Sequence, residues 1–400
     1  MTTRYESSFA SCAGAVRSLR FLPGLFLIGT ALAAIGAASG AVGGEVPRPA
    51  MRFADQITSY FDLWDDDGDG GLSFEETSRR VPDTSIRDET AAALAAIHLA
   101  QRFEQWKHAT FNRPELMAAP GSQPGRLPPF EAYYEASFAH IRMTGRTLFT
   151  GEGPRLHEFH QGLIGDCYFI ATLGALVNRD PADVARIVRV GTDGVFDVRF
   201  PNGETSRVTI ISDTEIALGS YVRDQGLWLN VLEKAYGELR ARSLERRRVF
   251  EDALDAVGSG GTATSAMTLF TGCDPAILRF RPDDTPMIAS DLRVAGFLPL
   301  ARDQLSANLR LRRLTCCGTT NADTPPGLAR THLYAVLDFD SKTDLVHIWN
   351  PWGNHFDPQG PPGIVNGYRV RNGHFFVPLN DFIRIFPSVI YETDRPASLD

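Results

Sequence analysis

Three residues in this chain stand in contexts that suit nucleophilic catalysis by a thiol. Cys167 lies in Gln161-Gly162-Leu163-Ile164-Gly165-Asp166-Cys167-Tyr168-Phe169-Ile170, His332 in Thr331-His332-Leu333-Tyr334-Ala335-Val336, and Asn350 in Asn350-Pro351-Trp352-Gly353. A free thiol has a pKa of about 8.5 and needs assistance to ionise at neutral pH. The stretch from Cys167 to Val177 is almost wholly apolar and rich in Ala and Leu, which predicts a buried helix. Gly165-Asp166 suits a turn into it, so Cys167 stands at a helix N-terminus, where unsatisfied amides create a positive potential. His332 would take the thiol proton and later protonate a leaving amine. Asn350 would orient the imidazole through a neutral hydrogen bond, which suits an imidazolium already balanced by a thiolate. Gln161 is placed to aim its side-chain amide at an oxyanion, together with the Cys167 backbone N–H.

A second chemical feature lies far upstream, in Asp65-Asp66-Asp67-Gly68-Asp69-Gly70-Gly71-Leu72-Ser73-Phe74-Glu75-Glu76. This is the twelve-residue EF-hand pattern, flanked by helical periodicity on both sides. Oxygen ligands for Ca2+ would come from Asp65, Asp67, Asp69, the Gly71 carbonyl, Ser73 directly or through water, and both oxygens of Glu76. Gly70 permits the sharp turn, and Leu72 pairs the loop with a neighbour. A register starting at Glu104 puts Phe111, Asn112 and Glu115 where Leu72, Ser73 and Glu76 stand. Trp106 and His108 replace its carboxylates, so it reads as a degenerate partner hand.

The segment QGLIGDCYFIATLGAL, with HLYAV and NPWG following in that order, resembles the catalytic core of the calpain family of cysteine endopeptidases. The resemblance covers about residues 155–395. It also takes in Leu232-Glu233-Lys234-Ala235-Tyr236, Gly260-Gly261 to Phe270-Thr271-Gly272, Asn372 to Phe376 and Asp381 to Phe386. It implies a two-lobed papain-like fold, cleavage of protein or peptide substrates, and a role for Trp352 in covering the His–Asn hydrogen bond. The family usually has an acidic residue and a second tryptophan after NPWG; this chain has Asn354, His355 and Phe356. Its calcium loops within the core cannot be matched here.

Several elements must position these groups. Phe53, Ile57, Tyr60 and Phe61 predict an amphipathic helix within 51–63, and Leu94, Ile97, Phe103 and Trp106 predict another over 88–106. Pro114 starts a further helix, and residues 119–129 form a Pro/Gly-rich joint. Residues 194–211 read as a hairpin around Asn202-Gly203, and Leu227 to Leu239 as a helix. Thr331 to Phe339, Leu345 to Trp349 and Gly373 to Pro378 read as strands. The fold class is α+β. The expected domains are an N-terminal segment 1–44, an EF-hand module 45–120, a linker and helix 121–154, a helical lobe 155–258 with the nucleophile, and a strand-rich lobe 259–395 with His332 and Asn350.

Residues 21–44 carry no charge and follow Arg17 and Arg20. They predict a signal peptide or an N-terminal membrane anchor, with the catalytic part exported and membrane contact through this stretch alone. A hydrophobic fraction of 43% with 22% charged residues is ordinary globular composition, and a net charge of -8 argues against nucleic acid as a partner. Five cysteines at irregular spacing, without a CxxC pair, give no disulfide framework. The competing reading is a calcium-binding scaffold on a weakly active or inactive peptidase fold. A transglutaminase-like acyl transferase would normally use Asp in place of Asn350.

Overall fold

The computed structural model describes residues 47–397, apart from 120, 123–125, 152, 245–251, 283–285, 289–290 and 323. Its first part is a helix–loop–helix pair: α1 (Phe53–Trp64), β1 (Gly71–Leu72), α2 (Phe74–Arg80) and α3 (Asp88–Ala100), then β2 (Phe111–Asn112) and α4 (Arg113–Leu116). Strands β1 and β2 pair antiparallel, with Leu72 opposite Phe111 and Gly71 opposite Asn112. Helix α3 stops at Ala100, short of the expected 106, and a 3-10 turn follows at Glu104–Trp106. The chain folds back there because the His108 N–H donates to the Gln101 carbonyl at 2.8 Å. Every residue of α3 from Ala91 to Ala100 is buried, so it has no exposed face. Its alanines let neighbours approach from all sides, and it packs on α5 (Phe130–Met143) and α8 (Asp213–Leu218).

The middle of the chain supplies β3 (Phe159–His160), α6 (Cys167–Arg179), α7 (Pro181–Ile187), β4 (Val188–Val190), β5 (Phe196–Arg199), β6 (Thr205–Val208), α8, β7 (Tyr221–Val222), α9 (Trp228–Leu244), α10 (Ala253–Gly258) and α11 (Ala263–Thr271). The expected hairpin is β5–β6, and β4 extends it to three strands. The last part holds β8 (Ala276–Arg279), α12 (Asp291–Arg310), β9 (Thr315–Gly318), β10 (Leu333–Asp340), β11 (Leu345–Trp349), β12 (His374–Pro378), α13 (Leu379–Ile385) and β13 (Ser388–Tyr391). Its six strands form one antiparallel sheet in the order β12-β11-β10-β9-β13-β8.

Both faces of this sheet are covered. Leu333, Ala335, Leu337 and Trp349 join the large core that begins at Phe53 and includes α6. Tyr334, Val336, Val346 and Ile348 point the other way, into a second core with α12 and α13. Gly174 marks the closest approach of α6 to the sheet: a Cβ there would stand 2.4 Å from Trp349 Cζ3.

The expectation of a membrane anchor, membrane contact and an exported catalytic part is corrected. Among the described residues no helix is long and apolar enough to cross a membrane. The apolar α6 has 13 residues, a rise of about 20 Å against a hydrocarbon core of about 30 Å. The 20-residue α12 carries Asp291, Arg293, Arg302, Asp303 and Arg310. Residues 21–44, on which that expectation rested, lie outside the described residues.

Candidate active site

Cys167 opens α6 and is buried, with no acidic residue in the helix's first turn to cancel the positive end. The turn before it depends on contacts that exclude side chains. A Cβ on Gly162 would stand 2.2 Å from the Gly219 carbonyl oxygen, and one on Gly165 would stand 2.8 Å from that of Gly258. Asp166 caps the helix through its backbone, whose carbonyl accepts from Phe169 at 2.8 Å and Ile170 at 3.1 Å. Its carboxyl is fully buried beside that of Glu233 from α9. Burial and the neighbouring Glu233 push Asp166 well above the usual carboxylate range. The shift favours the neutral carboxyl, which adds less negative charge beside the thiol than a carboxylate would. Glu233 also accepts the Ser220 backbone N–H, at 3.0 Å.

His332 precedes β10, the strand against which α6 packs. Thr331 before it sits at φ +48, a conformation that costs a β-branched residue on the order of 1–3 kcal/mol. The turn is held by Thr331 N–H to Thr320 O at 3.0 Å, His332 N–H to Thr319 Oγ1 at 3.1 Å and Thr319 N–H to His332 O at 2.9 Å. Asn350 Oδ1 accepts the Trp352 backbone N–H at 3.0 Å and lies 2.8 Å from His332 Nε2. The backbone group can only donate, so the amide oxygen faces it. Nε2 then carries the imidazole proton, which leaves Nδ1 as the basic nitrogen. The Trp352 ring lies over His332 with centroids 4.4 Å apart, and Tyr334 meets it edge-on at 4.9 Å. Burial drives the imidazolium down to about 4, opposed by the Asn350 hydrogen bond.

Gln161 ties the two halves together: its backbone N–H donates to Pro351 O at 2.7 Å. Its side-chain Nε2 donates to Ile164 O at 2.7 Å, and its Oε1 is buried without a partner. The amide has a second N–H, which is the one available to an oxyanion. The other cysteines differ from Cys167 in setting. Burial raises Cys316 to about 12 and Cys317 well above its ordinary value, and Cys273 is raised as well. His355 is exposed and His347 pairs with His374 at 3.1 Å, so neither joins His332.

The acidic loop is a separate cluster. Single carboxylate oxygens of Asp65, Asp67 and Glu76 lie within 4.8 Å of one another, with Glu76 buried. Glu76 accepts from Asp66 N–H at 2.6 Å and from Ser73 N–H and Oγ at 2.8 Å, while Asp65 accepts from Gly68 at 2.8 Å and Gly70 at 3.0 Å. Asp69 accepts from Gly71 N–H and is not in the three-carboxylate group. Asp66 turns outward to Arg79 and Arg80. Three carboxylates converge here with the nearby arginines spent on Asp66, an all-oxygen set that can hold a divalent cation. Gln101 carries the loop's position inward, since its Nε2 donates to Leu72 O and Ala109 O, both at 2.9 Å, and its Oε1 accepts from Thr77 Oγ1 at 2.7 Å. Next to it, Arg102 donates to Leu254 O at 3.0 Å and lies 3.6 Å from Asp255 in α10, the helix whose Gly258 touches Gly165. Nothing in the periodicity of the sequence marked Gln101, Arg102 or the Asp166–Glu233 pair, because a buried polar residue leaves no pattern until its partner is known.

The profile of calpain family cysteine proteases matches residues 139–361, more than half of the chain. The chain belongs to the calpain family. It is 25% identical over 238 residues to the calpain-type cysteine protease DEK1 of Arabidopsis thaliana, a match covering 54% of this chain and 10% of that protein. Against the calpain-2 catalytic subunit of Rattus norvegicus it is 23% identical over 268 residues, 58% of this chain and 35% of the relative. The chain thus spans a tenth to about a third of the length of these relatives. Its calpain core belongs to an α+β fold, and family membership supports protease chemistry in general.

Proposed function

We propose that this protein is a cysteine endopeptidase that cleaves protein or peptide substrates through Cys167 and binds Ca2+ in residues 65–76. The observation that carries the reading is the His332–Asn350 pair at 2.8 Å, sheltered by Trp352 and set at the start of the strand on which the Cys167 helix packs. Nδ1 of His332 takes the Cys167 proton as the thiolate attacks the scissile carbonyl. The oxyanion is received by the Cys167 N–H and the second Gln161 Nε2 hydrogen. The imidazolium then protonates the leaving amine, and the acyl-enzyme is hydrolysed by water with His332 as base. A thiolate beside the ring raises an imidazole pKa that burial, opposed by the Asn350 hydrogen bond, holds at about 4, so the ion pair stabilises both members.

The EF-hand reading is supported by the β1–β2 pair and by matching caps. Ser73 with Glu76, and Asn112 with Glu115, make the same reciprocal backbone bonds on either side of the pair. Asp65, Asp67, Asp69, the Gly71 carbonyl, Ser73 and Glu76 would hold the ion, whose charge relieves repulsion among the carboxylates. The second hand keeps this frame without the ligands. The domain limits are proposed as before, with 155–258 carrying the nucleophile and 259–395 carrying His332 and Asn350. The test is casein digestion by the full chain and its Cys167→Ala variant, each with calcium and with chelator. Peptide fragments from wild type alone support the reading. Equal cleavage by Cys167→Ala overturns it, and an inactive wild type that still binds calcium leaves the scaffold reading.

A further inference from the structure

Asn350 can serve His332 only while its amide oxygen faces the ring, and an amide turned by half a revolution would present N–H to N–H. The Trp352 backbone N–H fixes one side of the amide, as a donor toward Oδ1 at 3.0 Å. The other side is fixed by Asn354, whose Oδ1 accepts from Asn350 Nδ2 at 2.9 Å. Asn354 is itself oriented, because its Nδ2 points to the Gly327 carbonyl at 3.4 Å, a group that can only accept. Two side-chain amides therefore run in series between a backbone donor and a backbone acceptor, and neither can reverse alone. The loop that carries them is pinned as well. Gly373 donates to Asn354 O at 2.9 Å and accepts from Asn350 N–H at 2.8 Å. Gly373 has φ +78, and a Cβ there would stand 2.3 Å from Asn350 O.

We infer that Asn354 is a positioning residue for the reaction: it locks the Asn350 amide so that His332 keeps its proton on Nε2 and its basic nitrogen for the thiol. This rests on the thiol-peptidase reading above. The residue lies where the sequence departs from the acidic residue usual after NPWG. What the position requires is an acceptor oxygen facing Asn350 Nδ2, which a carboxylate also supplies.

The test compares Asn354→Ala and Asn354→Asp with wild type in the full chain. It reads kcat and KM on a peptide substrate, the pH dependence of Cys167 alkylation by iodoacetamide, and melting temperature. Asn354→Ala should lower kcat and the alkylation rate about tenfold with KM unchanged, the scale of one lost orienting hydrogen bond. Asn354→Asp keeps the acceptor for Asn350 Nδ2 but loses the donor to the Gly327 carbonyl, so it should recover part of the rate. It should also move the alkaline limb of the alkylation profile upward, because a carboxylate near the imidazolium favours the charged form. Alanine and aspartate variants that are equally impaired would reduce Asn354 to a turn residue, and an Asn354→Ala enzyme with wild-type kcat and profile would end the role outright. A wild-type Cys167 that neither turns over peptide nor alkylates ahead of Cys273 overturns the thiol reading itself, and this role with it.

Discussion

Replacing Gln101 by Met tests whether the acidic loop is held to α3 and to the segment before β2 by one buried amide. The side chain is fully buried and Met is close to it in length, so the cavity term is small. What is lost is the pair of donors to Leu72 O and Ala109 O, both at 2.9 Å, and the acceptor for Thr77 Oγ1 at 2.7 Å. The Thr77 hydroxyl retains the Phe74 carbonyl at 3.0 Å, so it is not stranded. An unsatisfied buried carbonyl costs about 1–3 kcal/mol, and the Ala109 carbonyl is partly accessible to water. The sum is about 2–4 kcal/mol of lost stability, a large share of a typical 5–15 kcal/mol. Urea denaturation followed by circular dichroism measures it. Leu72 directly precedes Ser73, a proposed calcium ligand, so calorimetry should also show weaker calcium binding. Each 1.4 kcal/mol of loop ordering that binding must restore costs about a factor of ten in affinity. The Arg102 contacts to α10 extend the effect toward Gly165, so peptide cleavage should fall too. A stability change below about 0.5 kcal/mol with an unaltered calcium isotherm would refute the reasoning, since that is the range of ordinary surface substitutions.

Other consequences follow from particular contacts. Gln161→Ala should leave the fold intact and lower kcat by about 10²–10³, the scale of one oxyanion donor, as read by steady-state kinetics. Gly174→Ala should gain up to about 1 kcal/mol in helix propensity but lose about 1–3 kcal/mol to overpacking against Trp349, and a thermally more stable variant would contradict the close approach seen there. Glu76→Gln should remove most of the rise in melting temperature that calcium brings to wild type. The pH dependence of stability has a definite sign. Burial lowers His140 and His332 to about 4 and His160 to about 3, so the unfolded chain binds protons first as pH falls below about 6.5. The stability they contribute is complete above that pH and is lost between it and about 4, or about 3 for His160. Asp252, raised to about 6 by burial, acts oppositely and loses its contribution as pH rises through 6. His98, His347 and His374 are lowered too, while Asp166, Glu215 and Glu233 are raised like Asp252. Six lowered histidines thus oppose four raised carboxyls, so denaturation of Cys167→Ala, which removes the thiolate, should need less urea at pH 5 than at pH 7.

The sequence alone was enough to read where chemistry could occur. Cys167, His332, Asn350 and Gln161 announce themselves through local context, because a helix start, a strand start and a tight turn each need particular neighbours. The acidic loop is legible for the same reason, with candidate ligands spaced by the geometry of a single loop, and so are α1, α6, α9 and the β5–β6 hairpin. The limits of that reading are equally physical. Helix α3 showed a broad stripe in sequence, yet it is buried all round, and only its packing on α5 and α8 could reveal this. Helix α12 and strand β8 carry no sequence signal of their own, and the short β9 and β13 are buried on both faces, which leaves no alternating signature to read. The buried Asp166 beside Glu233, the amide series through Asn354, and the separate contacts of Gln101 and Arg102 join residues far apart in the chain or polar groups with no periodicity. Their contacts come from partners that tertiary packing supplies, so the candidate site residues were readable in the sequence while the groups that surround and orient them were decided by the fold.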